Sequence, residues 1–125
     1  MRIGITKGEI LLLDGNIVKV ELADDTHLQP QDLREIDRIG LKLGAGEKCG
    51  ILIVSGAGST ISKETLELMC DAHDTKDYAP KAVIVNKLAQ RYLESFFEEH
   101  NLEKFPVAAF NSKAKATKWL KEMLR

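Results

Sequence analysis

The sequence predicts an α/β fold, with an N-terminal β-hairpin, repeated βα units, a mostly parallel five-stranded sheet and four helices. Two observations support this prediction. Apolar runs within residues 51–54 and 81–86 are typical of strands buried on both faces. Segments with helical periodicity alternate with these strands, which favours right-handed crossovers and parallel pairing. The expected order is ββαβαβαβα, in a single domain that spans residues 1–125.

Length and composition limit the class of protein. A chain of 125 residues buries about two-thirds of its unfolded surface, so it needs no metal or disulfide to fold. The net charge of −1 provides no general attraction to nucleic acid or to an anionic membrane. The N-terminal residues lack the basic and then apolar pattern of a signal segment, and no apolar run approaches the roughly 20 residues of a membrane helix. We therefore expect a cytoplasmic protein without a membrane span, a nucleic-acid partner or a cofactor.

The first two strands are predicted at 9–13 and 17–22, joined by the turn at 14–16. Asp-Gly and Gly-Asn accept positive φ at little cost, which favours a tight hairpin turn. Apolar residues alternate with polar ones along the second strand, so one of its faces should be exposed to solvent. A last short strand is expected at 105–110. Pro106 cannot donate to a ladder, which places this strand at an edge or starts it at the proline.

Four segments have helical spacing. The first opens at 27–30, where Pro30 suits the first turn, and stops at the glycines of 44–46. The second follows Ser62, a predicted N-cap, and ends near 72–74. The third ends at 98–101, and the fourth is capped by Asn111 or Ser112. The spacing predicts the inner face of each helix. In the first and second helices these faces are Leu33, Ile36, Ile39 and Leu43, and Leu66, Met69 and Cys70. The third helix has two inner rows, Leu88, Tyr92 and Phe96 beside Ala89, Leu93 and Phe97, and the fourth has Ala116, Trp119, Leu120 and Met123.

Residues 83–120 carry a recognisable pattern. It consists of Val83-Ile84-Val85-Asn86, Leu88-Ala89-Gln90-Arg91, Phe105-Pro106-Val107, and an ending of Phe110, Ala116 and Trp119-Leu120. This pattern resembles a group of small, uncharacterised bacterial STAS-like proteins, which are related in fold to the anti-sigma-factor antagonists. The resemblance implies a STAS-like fold and a regulatory or protein-interaction module. Most of the matching positions look like packing positions, so the resemblance bears on the fold more than on the function.

STAS antagonists carry an Asp-Ser-Ser-Gly signature in the turn after a central buried strand, and its first serine is phosphorylated. In this chain the matching positions hold Ser62, Lys63, Glu64 and Thr65, so the signature is absent. A phosphoserine switch therefore does not transfer to Lys63. Hydroxyl side chains remain nearby, within residues 59–62.

The turn after the strand at 51–54 is the main candidate site. Backbone N–H groups at a helix start can hold an anion, and ligands of α/β sheets favour the carboxyl ends of strands. The turn matches neither a P-loop nor a dinucleotide turn, and a capped connection without a ligand is the alternative. The predicted ligand- or partner-binding residues are Ser55, Gly56, Gly58, Ser59, Thr60 and Ser62 in this turn, and Asn86, Lys87 and Arg91 after the next strand.

No catalytic or metal-binding pattern appears in the sequence. There is no Gly-x-Ser-x-Gly, and the histidines lie in predicted loops or helix ends without metal-ligand spacing. The cluster at 71–74 is expected to be solvated, with a weak metal contact or a general base as the alternative. Cys49 and Cys70 are expected to be buried thiols, with a disulfide or a catalytic thiol as the alternatives. The histidines are His27, His73 and His100.

The predicted last helix is basic. Its lysines stabilise the helix dipole or face an acidic partner. Its basic residues are Lys113, Lys115, Lys118, Lys121 and Arg125.

Three functions remain open from the sequence. The first is a non-catalytic regulatory or protein-interaction module, with a homodimer as one form. The second is a small-molecule or lipid binder that uses the aromatic helix with Tyr92, Phe96 and Phe97. The third is an enzyme, which would need two titratable groups that converge in one cleft.

Overall fold

The computed structural model describes residues 2–45, 47–70, 79–99 and 107–125. The strands and helices alternate along the chain after an N-terminal run of strands. The strands are β1 Arg2–Ile5, β2 Gly8–Leu13, β3 Ile17–Leu22, β4 His27–Leu28, β5 Gly50–Val54, β6 Thr60–Ile61, β7 Lys81–Ile84 and β8 Val107–Phe110. The helices are α1 Pro30–Leu43, α2 Lys63–Cys70, α3 Lys87–Glu99 and α4 Lys113–Met123.

The main sheet has six strands in the order β1-β2-β3-β5-β7-β8. Strands β1, β2 and β3 pair antiparallel, and β3, β5, β7 and β8 pair parallel. The mixed α/β class and the mostly parallel pairing are confirmed, but the prediction of five strands was wrong. β1 was missed because its four residues are too few for their alternation to stand out. β8 lies at the edge, as expected, while Phe105 and Pro106 lie outside the described residues.

A second, two-stranded sheet pairs β4 with β6 in parallel. His27 and Leu28 were predicted to open the first helix, but they pair with Thr60 and Ile61 instead. Two-residue strands carry too little pattern to be recognised in a sequence. This small sheet ties the segment before α1 to the segment before α2, and so fixes the approach to the predicted site.

The parallel strands advance in one direction, from β3 to β5, β7 and β8. Right-handed crossovers in a constant direction place their helices on one face of the sheet. Leu33, Leu66 and Leu93, from α1, α2 and α3, accordingly share one core cluster with Ile51 and Val83. α4 follows the edge strand and covers the opposite face. There it forms a second cluster of Ile17, Leu52, Ala82, Ala116 and Leu120.

The hairpin between β2 and β3 forms as predicted. Gly15 and Asn16 take positive φ values of 79° and 61° in its turn. The Asn16 side-chain amide donates to the Lys48 carbonyl, which holds the turn against the segment before β5. Val18, Val20 and Leu22 are buried, whereas Lys19 and Glu21 between them form an ion pair on the opposite, wetter face.

Two predicted inner faces need correction. Leu88 and Tyr92 are 81% and 62% exposed and face solvent, whereas Phe96 of the same predicted row packs partly buried against the core. The row with Leu93 and Phe97 enters the core. A 13-residue helix that covers one face of a sheet buries a single stripe of its side chains, so the two predicted rows could not both be fully buried. Met123, on α4, is 41% exposed, and Leu124 packs on the sheet in its place. Trp119 is half-buried against Phe110, with ring centroids 5.7 Å apart.

The glycine stop of α1 is found as predicted, with Leu43 as the last helical residue and Gly44 as the C-cap. Gly44 keeps a helical φ of −69°, and Ala45 takes the left-handed conformation with φ 52°. A Cβ on Gly44 would come within 3.3 Å of the Cys49 sulfur, so this glycine is required for close packing more than for backbone freedom. The third position of the predicted helix stop, Gly46, lies outside the described residues.

Both cysteines are buried thiols, as predicted. Burial raises the pKa of the Cys49 thiol, an effect only partly offset by the nearby Lys81 ammonium. Lys81 is itself 4% exposed and pairs with Asp37 of α1, with an N–O distance of 3.2 Å. These groups lie at the amino end of β7, away from the predicted site. Of the described helices, none has the length and apolar character needed to cross a membrane.

Candidate functional site

Two open depressions lie side by side at the carboxyl ends of β5 and β7. One has a volume of about 220 Å³, and we call it the apolar groove; the other, of about 270 Å³, is the loop depression. The apolar groove is lined by Ser55, Ser59, Thr60, Ile61, Leu66, Val85, Ala89, Tyr92 and Leu93. The loop depression is lined by Ser55, Gly56, Ala57, Gly58, Ser59, Ile84, Val85, Asn86 and Ala89.

The structure brings six of the nine predicted site residues to these two depressions. Lys87 and Arg91 line a third depression of about 520 Å³ with Asn111 and the start of α3. Ser62 lines none of the three. The six residues are Ser55, Gly56, Gly58, Ser59, Thr60 and Asn86.

The glycine-rich turn is held by the loop that follows β3. The Asp25 amide donates to the Ala57 carbonyl at 2.8 Å, and the Ala57 amide donates to the Asp24 carboxylate at 2.9 Å. A Cβ on Gly56 would lie 2.5 Å from the Ala23 carbonyl oxygen, so the two loops need a glycine here to approach this closely. Gly58 has a φ of +73°, which only glycine adopts easily.

These contacts bear on the predicted anion site. The Ala57 and Ser59 amides donate within the protein, to Asp24 and to the Gly56 carbonyl. The carboxylates of Asp24 and Asp25 also adjoin the turn, and their charge disfavours a phosphate there. These hydrogen bonds hold the turn in place as a connection between β5 and α2. Anion binding in this turn stays a prediction, and its electrostatic surroundings oppose it.

The hydroxyl groups of the turn differ in their bonding. Ser59 Oγ accepts from the Thr26 amide and donates to the Ala23 carbonyl, both at 3.2 Å. The Thr60 hydroxyl contacts His27 Nδ1 on the surface. Ser55 Oγ is buried and has no hydrogen-bond partner among the described residues, although Ser55 lines both depressions. A rotation about χ1 of Ser55 would therefore present this hydroxyl to a ligand without breaking a hydrogen bond to a described residue.

Ser62 acts as the N-cap of α2, as predicted. Its hydroxyl accepts from the Thr65 amide at 3.1 Å and contacts the Thr65 hydroxyl at 2.7 Å. The Thr65 hydroxyl donates to the Leu28 carbonyl at 2.9 Å, and the Ser62 amide donates to the same carbonyl, so Thr65 does not make the return bond of a capping box. Ser62 and Thr65 are both buried, which makes Ser62 a structural residue.

We expect Ser62→Ala to lower the free energy of unfolding by about 1–2 kcal/mol, since it removes a cap and leaves the Thr65 amide unpaired. Urea denaturation followed by circular dichroism measures this change. Ser59→Thr serves as the control, because it keeps a hydroxyl in the same connection. A change below about 0.3 kcal/mol in Ser62→Ala would show that the cap is dispensable.

The residues after β7 divide between two roles. The Asn86 side-chain oxygen accepts from the Ala89 amide at 2.8 Å and caps α3. Gln90 donates to the Ala109 carbonyl at 3.2 Å and joins α3 to the edge strand. Lys87 and Arg91 are exposed on α3. The cap was recognisable from an asparagine at the end of a strand, whereas the separation of Lys87 and Arg91 from the loop depression depends on the helix rotation.

Sequence reasoning missed the most exposed apolar side chains. Leu88 and Tyr92 stand one turn apart on the outer side of α3, and Tyr92 forms one wall of the apolar groove. Their periodicity was visible, but it was assigned to the core. The signal that separates the two rows is charge, because Lys87, Arg91 and Glu94 flank the row with Leu88 and Tyr92.

A basic surface lies on the other face of the molecule. Contact with the Lys19 ammonium lowers the pKa of Lys113, while the hydrogen bond to Glu21 raises the pKa of Lys19. The same hydrogen bond lowers the pKa of Glu21. Lys118, Lys121 and the other basic residues of α4 extend this surface. It supports the expectation of an exposed cationic helix face, remote from both depressions.

No group of three histidine, cysteine, aspartate or glutamate residues is placed to hold a metal ion within residues 2–45, 47–70, 79–99 and 107–125. The His27 ring contacts the Thr60 hydroxyl through Nδ1, and three nearby carboxylates accept hydrogen bonds from backbone amides. The predicted polar cluster at 71–74 and His100 lie outside the described residues. The three structural carboxylates belong to Asp24, Asp32 and Glu35.

The fold and the site define a small α/β domain with an open apolar groove at the carboxyl edge of its sheet. A family model described as a domain of unknown function, DUF7793, matches residues 11–124, and the chain belongs to this family. The match extends from β2 to α4 and includes both depressions. No curated protein and no solved structure matches the chain. The STAS-like resemblance therefore stays a prediction.

Proposed function

We propose that this protein is a non-catalytic, STAS-like interaction module of the cytoplasm whose apolar groove receives an apolar side chain of a protein partner. One observation supports the proposal above the others. Leu88 and Tyr92 are exposed on the same helix face, and Tyr92 borders an open groove lined by Ile61, Val85 and Leu93. Large apolar side chains clustered beside a groove are typical of interaction surfaces.

The size of the groove distinguishes a protein partner from the small-molecule alternative. Pockets for small ligands commonly have volumes of about 300–1,000 Å³ and enclose most of the ligand. The apolar groove has about 220 Å³ and is open to solvent. It fits one or two apolar side chains better than a lipid or a metabolite. The aromatic helix also gives little support to an internal cavity, because Tyr92 points outward and Phe97 fills the core.

The groove carries polar groups that suit a peptide. Ser55 offers a hydroxyl without a protein partner among the described residues, and Thr60 lies at the rim. A protein segment that inserts an apolar side chain also brings backbone N–H and C=O groups, which can pair with these hydroxyls. The proposal includes a regulatory role, and it is supported by a groove whose described lining residues contain binding groups.

Affinity capture from the native host tests the proposal. A tagged wild-type chain and the variant Tyr92→Asp are compared by quantitative mass spectrometry. We expect at least one protein to be recovered with the wild type and its recovery to fall more than about tenfold with Tyr92→Asp, because the variant puts a charge where the partner would bury a tyrosine. Its binding is then measured by calorimetry with the purified partner.

Leu41→Asp is the matched control, because Leu41 is an exposed leucine on α1, at 43%, outside the groove. The same partner should be recovered with this control. Thermal unfolding of each variant verifies that the fold is intact. Equal recovery with the wild type and Tyr92→Asp would contradict the assignment of the groove, as would a loss of the partner with Leu41→Asp.

A further inference from the structure

We infer that the exposed face of α3 binds a second copy of this chain, with the two α3 helices packed antiparallel. The inference rests on the proposed function, because it names the partner of the surface that Leu88 and Tyr92 expose. The charge pattern of α3 carries it. A helix that stands alone on the surface would be expected to carry the opposite pattern.

The charges of α3 are divided between its two halves. Lys87 and Arg91 lie in the first half, and Glu94 and Glu98 lie in the second half. These positions are four, three and four residues apart, so they form one row along the helix. The adjacent row toward solvent begins with Leu88. Among the described residues, none of these four charges forms an ion pair.

This distribution is unfavourable at the two ends of α3 within one copy, although Arg91 and Glu94, three residues apart, attract each other. The positive end of a helix dipole is at its N-terminus, where acidic side chains are stabilising, and basic side chains are stabilising at the C-terminus. α3 has no acidic residue in its first turn and no basic residue in its last turn. Lys87 and Arg91, one turn apart, also repel each other, as do Glu94 and Glu98.

A second copy in antiparallel orientation relieves each of these effects. In a two-fold symmetric pair the same row lies on the same side of both helices, in opposite directions. With the axis between Tyr92 and Leu93, Arg91 lies opposite Glu94 of the second copy, and Lys87 lies opposite its Glu98. Every contact occurs twice by symmetry. Leu88 and Tyr92 then lie in the shared apolar seam, and the two helix dipoles oppose each other.

The size of α3 sets the expected strength. Thirteen residues span about 20 Å, so one helix face provides an interface at the small end of specific contacts. We therefore expect a reversible dimer with a dissociation constant in the micromolar range. Since four of its contacts are between charges, the dimer should weaken as salt rises.

Sedimentation equilibrium of the full chain tests the inference at low salt. The wild type is compared with Arg91→Glu, with Glu94→Arg and with an equimolar mixture of the two variants. Each single reversal places like charges opposite each other twice, and should weaken the dimer at least about tenfold. The mixture should form a heterodimer with roughly wild-type affinity, because opposite charges then face each other again at both symmetry-related contacts. Glu122→Arg, on the exposed face of α4, is the control and should dimerise like the wild type.

Two results would overturn the inference. One is a wild-type chain that stays monomeric up to millimolar concentration. The other is a dimer that neither reversal weakens, or that the mixture fails to restore. Thermal unfolding of each variant shows whether its fold is intact. A monomeric wild type that still captures a Tyr92-dependent protein from the host would refute self-pairing alone. A monomeric wild type that captures no such protein would also refute the proposed function.

Discussion

Gly8→Ala should lower the free energy of unfolding by about 3 kcal/mol, the upper part of the range for overpacking a well-packed site. A Cβ on Gly8 would overlap the Glu21 carbonyl oxygen and would lie 3.0 Å from the Leu22 Cα, both on β3. These are backbone atoms of the paired strand, so no side-chain rotation can make room. The β2–β3 ladder has to separate at the Gly8–Leu22 pair. Urea denaturation measures this change in the free energy of unfolding, with the m-value expected to be the same for both proteins.

Gly4→Ala is the matched control in the same three-stranded part of the sheet. A Cβ on Gly4 meets no atom within 4 Å. Alanine restricts the unfolded chain more than glycine does, so this variant should be neutral or stabilising by up to about 1 kcal/mol. If both variants behaved alike, the close approach of β2 and β3 at Gly8 would be wrong.

Leu120→Ala should cost about 3 kcal/mol, within the range for deleting a buried leucine side chain. Leu120 is fully buried, and its Cδ2 would lie 3.0 Å from a Cβ on Gly50. Few side chains compensate for its loss, because the cluster on this face has five buried members. Thermal unfolding monitored by circular dichroism should show a fall in Tm of about 10 °C for a chain of this length.

Met123→Ala provides the comparison, since the sequence predicts both residues on the inner face of the last helix. Met123 is 41% exposed, so its truncation should cost less than about 1 kcal/mol. A large cost for Met123→Ala with a small cost for Leu120→Ala would mean that α4 is rotated about its axis relative to the described packing.

Most of the fold could be predicted because its main elements have strong periodic signals. The strand at Gly50–Val54 and the helix at Pro30–Leu43 carry a continuous apolar run and a clear helical spacing. β1 and the β4–β6 pair carry neither, since they are four and two residues long. Their position is set by pairing with distant strands, which the local sequence does not encode.

The site was predictable in its location but not in its surroundings. Parallel strands end at one edge, so Ser55 and Asn86 were expected together, and both line the loop depression. The hydrogen bond from the Ala57 amide to the Asp24 carboxylate was not predictable, because it joins residues 33 positions apart in the chain. The exposure of Tyr92 depended on which of two apolar rows faces the sheet. That choice is made by tertiary packing.

The position of α4 in the chain has a consequence for synthesis. The three crossover helices cover their face of the sheet as the strands are made, but the opposite face stays uncovered until α4, which follows β8, has been made. Until α4 has emerged from the ribosome, Leu52, Ala82 and Ile84 remain open to water on a nearly complete sheet. Incomplete chains with exposed apolar sheet surface tend to aggregate. We therefore expect chains interrupted before α4 to need chaperones more than chains that include it.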